Sequence, residues 1–135
     1  MINIDKITQI NDRYYFIGDK CVPVNKNDVL EIFHNARIQH TVYSTVYHDL
    51  FYIYDDYIKK GKIKIEKTKH YEKKWIETHD IRCKWNADAA REQATKFFNM
   101  ADGAGVVLDK IFALSEKYYK LETQAKKVMD NRGWA

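Results

Sequence analysis

The sequence has little of what usually divides or cross-links a chain. Its 135 residues include one proline, five glycines and two cysteines, and no stretch is rich in proline, glycine and serine. Without such a linker, and with 45% apolar residues to fill one core, residues 1–135 are expected to form a single domain. Cys21 and Cys83 lie far apart and outside any CxxC pair, so we expect both to be reduced core residues.

Long apolar runs are also missing. None approaches the roughly 18 to 20 residues that a bilayer-spanning helix needs, and no segment has the pattern of a signal peptide. We therefore expect a soluble cytoplasmic protein with no membrane partner. The skew toward Lys, Ile, Tyr, Asn and Asp accompanies many AT-rich genomes, which favours a viral, phage-encoded origin and thus the host cytoplasm.

Motifs for catalysis and cofactor binding are not apparent. Residues 102–106 contain two glycines but match neither GxxxxGK[ST] nor GxGxxG, and no GxSxG occurs. His79 and Cys83 are four residues apart, but zinc usually takes three or four ligands and no matched pair completes the set. We expect no enzyme activity, no cofactor and no metal site.

Positive charge, by contrast, is concentrated in one place. Residues 59–74 hold eight lysines and two glutamates, a balance of +6 within a chain total of +4. Such a segment attracts a nucleic acid backbone or an acidic protein surface, and aromatic residues beside it can stack on bases. The predicted nucleic-acid-binding residues are Lys59, Lys60, Lys62, Lys64, Lys67, Lys69, Tyr71, Lys73, Lys74 and Trp75.

Residues 1–25 predict a small antiparallel β-hairpin region. Three short apolar runs, Ile7–Ile10, Tyr14–Ile17 and 21–24, are separated by Asn-Asp and Gly-Asp pairs that favour tight turns. Pro23 cannot donate a ladder hydrogen bond, so its strand is expected to lie at an edge or to end there.

Residues 27–60 predict a helical segment. Asp28 and Glu31 have capping-box spacing, and apolar and aromatic residues recur at spacings of 3 and 4 from Phe33 onward. Residues 38–58 also suit a strand, because 41–47 are rich in β-branched and aromatic residues; we favour helix. Gly61 predicts the helix end, and residues 61–67 then predict a basic strand or wing, since 62–66 alternate with period 2.

Residues 68–132 predict a long helix or a helix pair. From Ile76 to Met129 one unbroken 4-3 register is apolar except at Asp80, Ser115 and Glu122, with alanines at its centre that indicate a close neighbour helix. The predicted fold class is therefore α+β: mainly α, with a small N-terminal antiparallel sheet and a long C-terminal helix or helical hairpin with a heptad-like seam.

The glycines at 103 and 105 bear on how this seam is covered. Each costs about 1 kcal/mol in a helix interior, and Asp102 can cap a new helix, so we favour a break or kink there that gives an antiparallel hairpin. The alternative is one helix of about 80 Å, which would require self-association. The seam residues predicted for oligomerisation are Ala87, Ala90, Ala94, Phe97, Ala101, Ala104, Leu108 and Ile111, and a homo-oligomer is expected.

Two functions fit these patterns. The first is a small non-enzymatic nucleic-acid-binding accessory or regulatory protein; the order helix, Gly61, basic strand also partly resembles a winged helix-turn-helix. The second is a protein-binding module, such as a viral inhibitor of a host factor or a small assembly subunit. Five tyrosines crowd residues 43–57, and tyrosine is enriched at interface hot spots.

Overall fold

The computed structural model describes residues 1–134, in which a small sheet precedes two long helices. A short 3-10 helix at Ile4–Lys6 leads into strands β1 (Ile7–Ile10), β2 (Tyr14–Ile17) and β3 (Lys20–Pro23). Helix α1 spans Lys26–Thr78 and helix α2 spans Ile81–Arg132. The predicted fold class, mainly α with a small N-terminal antiparallel sheet, is confirmed.

The sheet is antiparallel in the order β1-β2-β3, so β3 is an edge strand. Pro23 ends that strand, where the missing N–H costs no ladder hydrogen bond. Gly18 makes the β2–β3 turn with a φ of +56°, a conformation that glycine adopts without strain. Both cysteines are free, but Cys21 is exposed, so its prediction as a core residue is wrong: it lies on the solvated edge strand.

Contacts divide the chain into two compact units. The first unit joins Met1–Val46 to the segment from Lys110 onward, and the second unit is Tyr47–Asp109. In the first unit the sheet packs on the start of α1 and the end of α2. Its buried residues are Ile4, Ile7, Ile10, Tyr15, Val29, Ile32, Ala36, Tyr118, Leu121, Ala125, Val128 and Met129.

Helix α1 is capped by Asn25, whose Oδ1 accepts the backbone N–H of Asp28 at 2.9 Å. Glu31 does not complete a capping box, because its carboxylate accepts the backbone N–H of Ile2 instead. Residues 38–58 are helical, as favoured. The predicted helix end at Gly61 and the strand or wing at 61–67 are wrong: α1 continues to Thr78, and the winged-helix interpretation fails with it.

The alternation at 62–66 was too short to distinguish a strand from a helix. Lysine, glutamate and isoleucine are tolerated in helices, and Gly61 and Thr68 are buried one heptad apart on a single face of α1. A Cβ at Gly61 would lie 2.8 Å from the Phe98 ring of α2. The glycine therefore permits close helix approach rather than a helix stop.

The chain reverses at His79, which has a φ of +53°, and not at the two central glycines. Helix α2 passes unbroken through Gly103 and Gly105, so the predicted break there is wrong. Asp80 begins α2 by accepting the backbone N–H of Arg82 at 3.0 Å. Cooperative packing along α2 thus outweighs a glycine cost of about 1 kcal/mol each.

The predicted seam faces α1 within both units. Ala87, Ala90, Ala94 and Ala101 are buried in the second unit, and Tyr118, Ala125 and Met129 in the first. The register fails only at its start: Ile76 is 70% exposed near the end of α1, and Asp80 lies in the turn.

Candidate nucleic-acid interface

The lysine-rich segment 59–74 is a continuous stretch of α1 in the second unit. Because α1 turns its Gly61 and Thr68 face toward α2, the lysines are left on the two flanks of that face. Helical spacing assigns each lysine to one flank. The first lysine flank is Lys60, Lys64, Lys67 and Lys74, and the second lysine flank is Lys59, Lys62, Lys69 and Lys73.

Three of the eight lysines form ion pairs with acids of the same helix. Lys59 Nζ lies 2.9 Å from Asp55, Lys60 Nζ lies 3.0 Å from Asp56, and Lys69 Nζ lies 3.6 Å from Glu66. The Asp55 hydrogen bond, followed by the charge of that carboxylate, raises the pKa of Lys59. These surface pairs contribute little to stability, because water and salt screen exposed ion pairs.

The other five lysines have no such carboxylate partner in the described part of the chain. Within residues 1–134, no acidic oxygen lies within 4.0 Å of Lys62, Lys64, Lys67, Lys73 or Lys74. All except Lys64, which is half-buried, are exposed. Their side chains are therefore available to an external anion.

The neighbouring arginines are less available. Arg91 pairs with Glu72 of α1 and lies 3.3 Å from Asp88. Arg82 pairs with Asp80 through Nη2 at 2.9 Å, and this hydrogen bond lowers the pKa of the carboxyl and raises that of the guanidinium. The unpaired charge of this region is thus lysine charge, which attracts phosphate as a point charge rather than reading base edges in bidentate fashion.

The two predicted aromatic contacts differ from the expectation of open stacking platforms. Tyr71 and Trp75 are both half-buried. The Trp75 ring meets His79 edge-on at 5.8 Å between centroids, and Lys84 Nζ lies 5.9 Å from its centroid. Lys84 thus already lies over one face of the Trp75 ring.

A second tryptophan provides a more open surface, and the sequence did not lead us to predict it. Trp85 on α2 is 61% exposed and directly follows Lys84, which contacts Trp75 across the helix pair. The sequence does indicate that Trp85 is exposed, because this residue lies between Cys83 and Ala87, outside the 4-3 register, and so could not belong to the seam. It lies at the same end of the second unit as Lys73 and Lys74.

The eight seam residues predicted for oligomerisation pack inside the chain. Ala87, Ala90, Ala94, Ala101 and Leu108 are buried in the structure of a single chain. The remaining three, Phe97, Ala104 and Ile111, are half-buried. Burial of the seam therefore needs no second copy.

Comparison with protein-family models, curated proteins and solved structures finds no match. Within residues 1–134, no group of three or more His, Cys, Asp and Glu side chains is placed to hold a metal ion. Neither long helix has an 18-residue stretch apolar enough for a membrane span.

Proposed function

We propose that this chain is a non-enzymatic nucleic-acid-binding protein whose second unit contacts the phosphate backbone through the lysines of α1. The observation that carries the proposal is the set of five lysines without local acidic partners within residues 1–134, spread over little more than three helical turns. Three of these lysines lie on the first lysine flank and two on the second, so phosphates along a strand can meet lysines on either side of α1, and the resulting attraction is independent of sequence.

Exposed Trp85 favours a single strand over a duplex. Unpaired bases can stack on an open aromatic face, whereas paired bases are stacked on one another. In this proposal the lysines hold the backbone and Trp85 takes one base where the strand passes around the helix pair, since its place midway between Cys83 and Ala87 turns it away from α1. An accessory or regulatory role follows from binding of this kind without sequence reading.

The test is the salt dependence of binding to a fluorescent single-stranded oligonucleotide, followed by anisotropy. Replacing Lys62, Lys64, Lys73 and Lys74 with Gln should lower the slope of log affinity against log salt by up to about 3, since each lost phosphate contact removes roughly 0.7 for single strands. The matched control neutralises four lysines of the first unit, replacing Lys6, Lys20, Lys26 and Lys120 with Gln.

The control should leave most of the affinity intact. Equal losses of affinity in the α1 variant and the control would mean that net charge alone drives binding. An unchanged salt slope in the α1 variant would rule out these lysines as the interface. Trp85→Ala should weaken single-strand binding by about 1 to 3 kcal/mol, with a smaller effect on a duplex of the same length.

A second function, a protein-binding module, is favoured by a separate observation. The second unit leaves several large apolar side chains exposed: Phe51, Tyr52, Ile53, Met100, Val106 and Val107. Aromatic and methionine side chains are enriched at protein interfaces. Recovery of one stoichiometric protein from nuclease-treated host lysate would support this function; loss of all partners after nuclease treatment would count against it.

A further inference from the structure

One exposed row of side chains on α1 in the second unit has acidic residues toward one end and basic residues toward the other, so the row is complementary in charge to a copy of itself that runs in the opposite direction. It consists of Asp49, Ile53, Asp56, Lys60, Ile63 and Lys67, and we call it the self-complementary row. The spacings are 4, 3, 4, 3 and 4, so the six side chains share one face of the helix. All six are exposed, although Ile53 and Ile63 are large and apolar.

The row lies beside the seam that α1 uses against α2, and Lys60 Nζ reaches to 5.9 Å from the centroid of the Phe97 ring of α2. Gly61 and Thr68 occupy that seam and are buried, whereas Lys60 and Lys67 each precede one of them by a residue and project to its side. Ile53 and Ile63 are 49% and 56% exposed, and they remain so in the folded chain. Burying them requires something other than α2.

We infer that the self-complementary row is a dimer interface, occupied by the same row of a second copy in antiparallel orientation. Centred between Asp56 and Lys60, an antiparallel copy places Asp49 against Lys67, Ile53 against Ile63, and Asp56 against Lys60. Two-fold symmetry repeats each contact, so four ion pairs enclose two isoleucine contacts.

The charges also select the orientation. A parallel copy in register would set Asp49 and Asp56 against themselves and Lys60 and Lys67 against themselves, which is repulsive at every charged position. Asp56 and Lys60 pair with each other inside each helix at 3.0 Å. This pair can be replaced by the two pairs between copies, because both side chains are more than half exposed. The row thus accepts the reversed row and rejects the parallel one.

Self-association of this kind is compatible with the proposed function but does not depend on it. Most of the lysines assigned to nucleic acid lie outside the row, including the whole second lysine flank. A dimer leaves those side chains outside the interface and brings two sets of them together on one particle. Dimerisation can therefore be measured without any nucleic acid, and the two proposals can fail separately.

The experiment is a charge swap followed by mixing, with molecular mass measured by sedimentation equilibrium over a concentration series. One variant carries Asp49→Lys and Asp56→Lys, and the other carries Lys60→Asp and Lys67→Asp. Each row then has four like charges, so each variant alone should lose more than about tenfold in dimer affinity. Mixed in equal amounts, the two rows are again complementary, and the dimer should return as a heterodimer.

The matched control is Asp102→Lys with Asp109→Lys, which makes the same charge change as the Asp49→Lys, Asp56→Lys variant but at exposed positions of α2 in the same unit. It should dimerise like the unmodified chain, and circular dichroism should show unchanged helix content in all variants. A monomeric unmodified chain, full dimerisation of either row variant alone, or no recovery on mixing would each overturn the inference.

Discussion

Gly61 offers a direct test of how closely α1 and α2 approach in the second unit. A Cβ built there would lie 2.8 Å from two atoms of the Phe98 ring, which is closer than packed carbon atoms tolerate. Gly61→Ala should therefore force the ring or the helix to move. Overpacking of this kind typically costs about 1 to 3 kcal/mol. The gain in helix propensity from glycine to alanine, about 1 kcal/mol, offsets part of that.

A second glycine provides the reference for this measurement. Gly103 lies in the interior of α2 with nothing within 4 Å of its Cβ position, so Gly103→Ala should realise the propensity gain and stabilise the protein by about 0.5 to 1 kcal/mol. Urea unfolding followed by circular dichroism would compare the two variants. Gly61→Ala should have a free energy of unfolding lower by roughly 1 to 3 kcal/mol than Gly103→Ala.

Phe98 supplies the second half of the test. If the steric conflict lies at its ring, Gly61→Ala should cost less in a Phe98→Leu background than in the unmodified chain, and a double-mutant cycle would measure the difference. Equal stabilisation by Gly61→Ala and Gly103→Ala would refute close helix approach at this point. Absence of coupling to Phe98 would do the same.

Three further outcomes follow from single residues. Tyr15 is buried and its hydroxyl donates to Asp28 at 2.8 Å; burial first, and then this hydrogen bond, raises the pKa of Tyr15 to about 12. The neutral tyrosine therefore stabilises the fold fully below pH 10, and the free energy of unfolding should fall by up to about 3 kcal/mol as the pH rises through 12. Tyr15→Phe should remove this fall when unfolding is measured against pH. His79→Gly should raise the free energy of unfolding by about 1 kcal/mol, and with it the midpoint of thermal unfolding, because glycine adopts a positive φ without strain. A lower midpoint would contradict this. Ala101→Leu, at a fully buried seam position, should lower the free energy of unfolding by about 1 to 3 kcal/mol, whereas unchanged stability would mean that the seam has spare volume.

The sequence was most informative where a pattern was long. Strands Ile7–Ile10 and Tyr14–Ile17 were predicted with their observed bounds, since turn residues mark both ends. The seam of α2 was predicted from many heptad positions, and even its polar members have contacts. Ser115 Oγ lies 3.1 Å from the Ser44 hydroxyl, and Glu122 lies 3.2 Å from His40.

The errors came from short patterns that tertiary packing overrides. Glycine can end a helix, interrupt it or allow close approach, and only the neighbouring residue distinguishes these roles. At Gly61 the neighbour is Phe98, 37 residues away in sequence, which local spacing could not reveal. The chain reversal at His79 was not predicted, because positive φ is uncommon in residues other than glycine.

The candidate interface was predictable in composition but not in arrangement. The lysines were identified from charge density alone, whereas their division into two flanks depends on the helix that replaced the predicted wing. The presence or absence of acidic partners likewise depends on side-chain geometry. Trp85 could have been recognised as an exposed aromatic residue from its place outside the register.

The most direct test of nucleic-acid binding by the second unit is a map of the contact surface. Backbone amide NMR shifts of the full chain, recorded during titration with a short single-stranded oligonucleotide, would locate it residue by residue. The proposal predicts that the largest shifts fall within residues 59–85, including the Trp85 indole N–H. Shifts confined to the sheet and the first unit, or no saturable shifts at low salt, would contradict it.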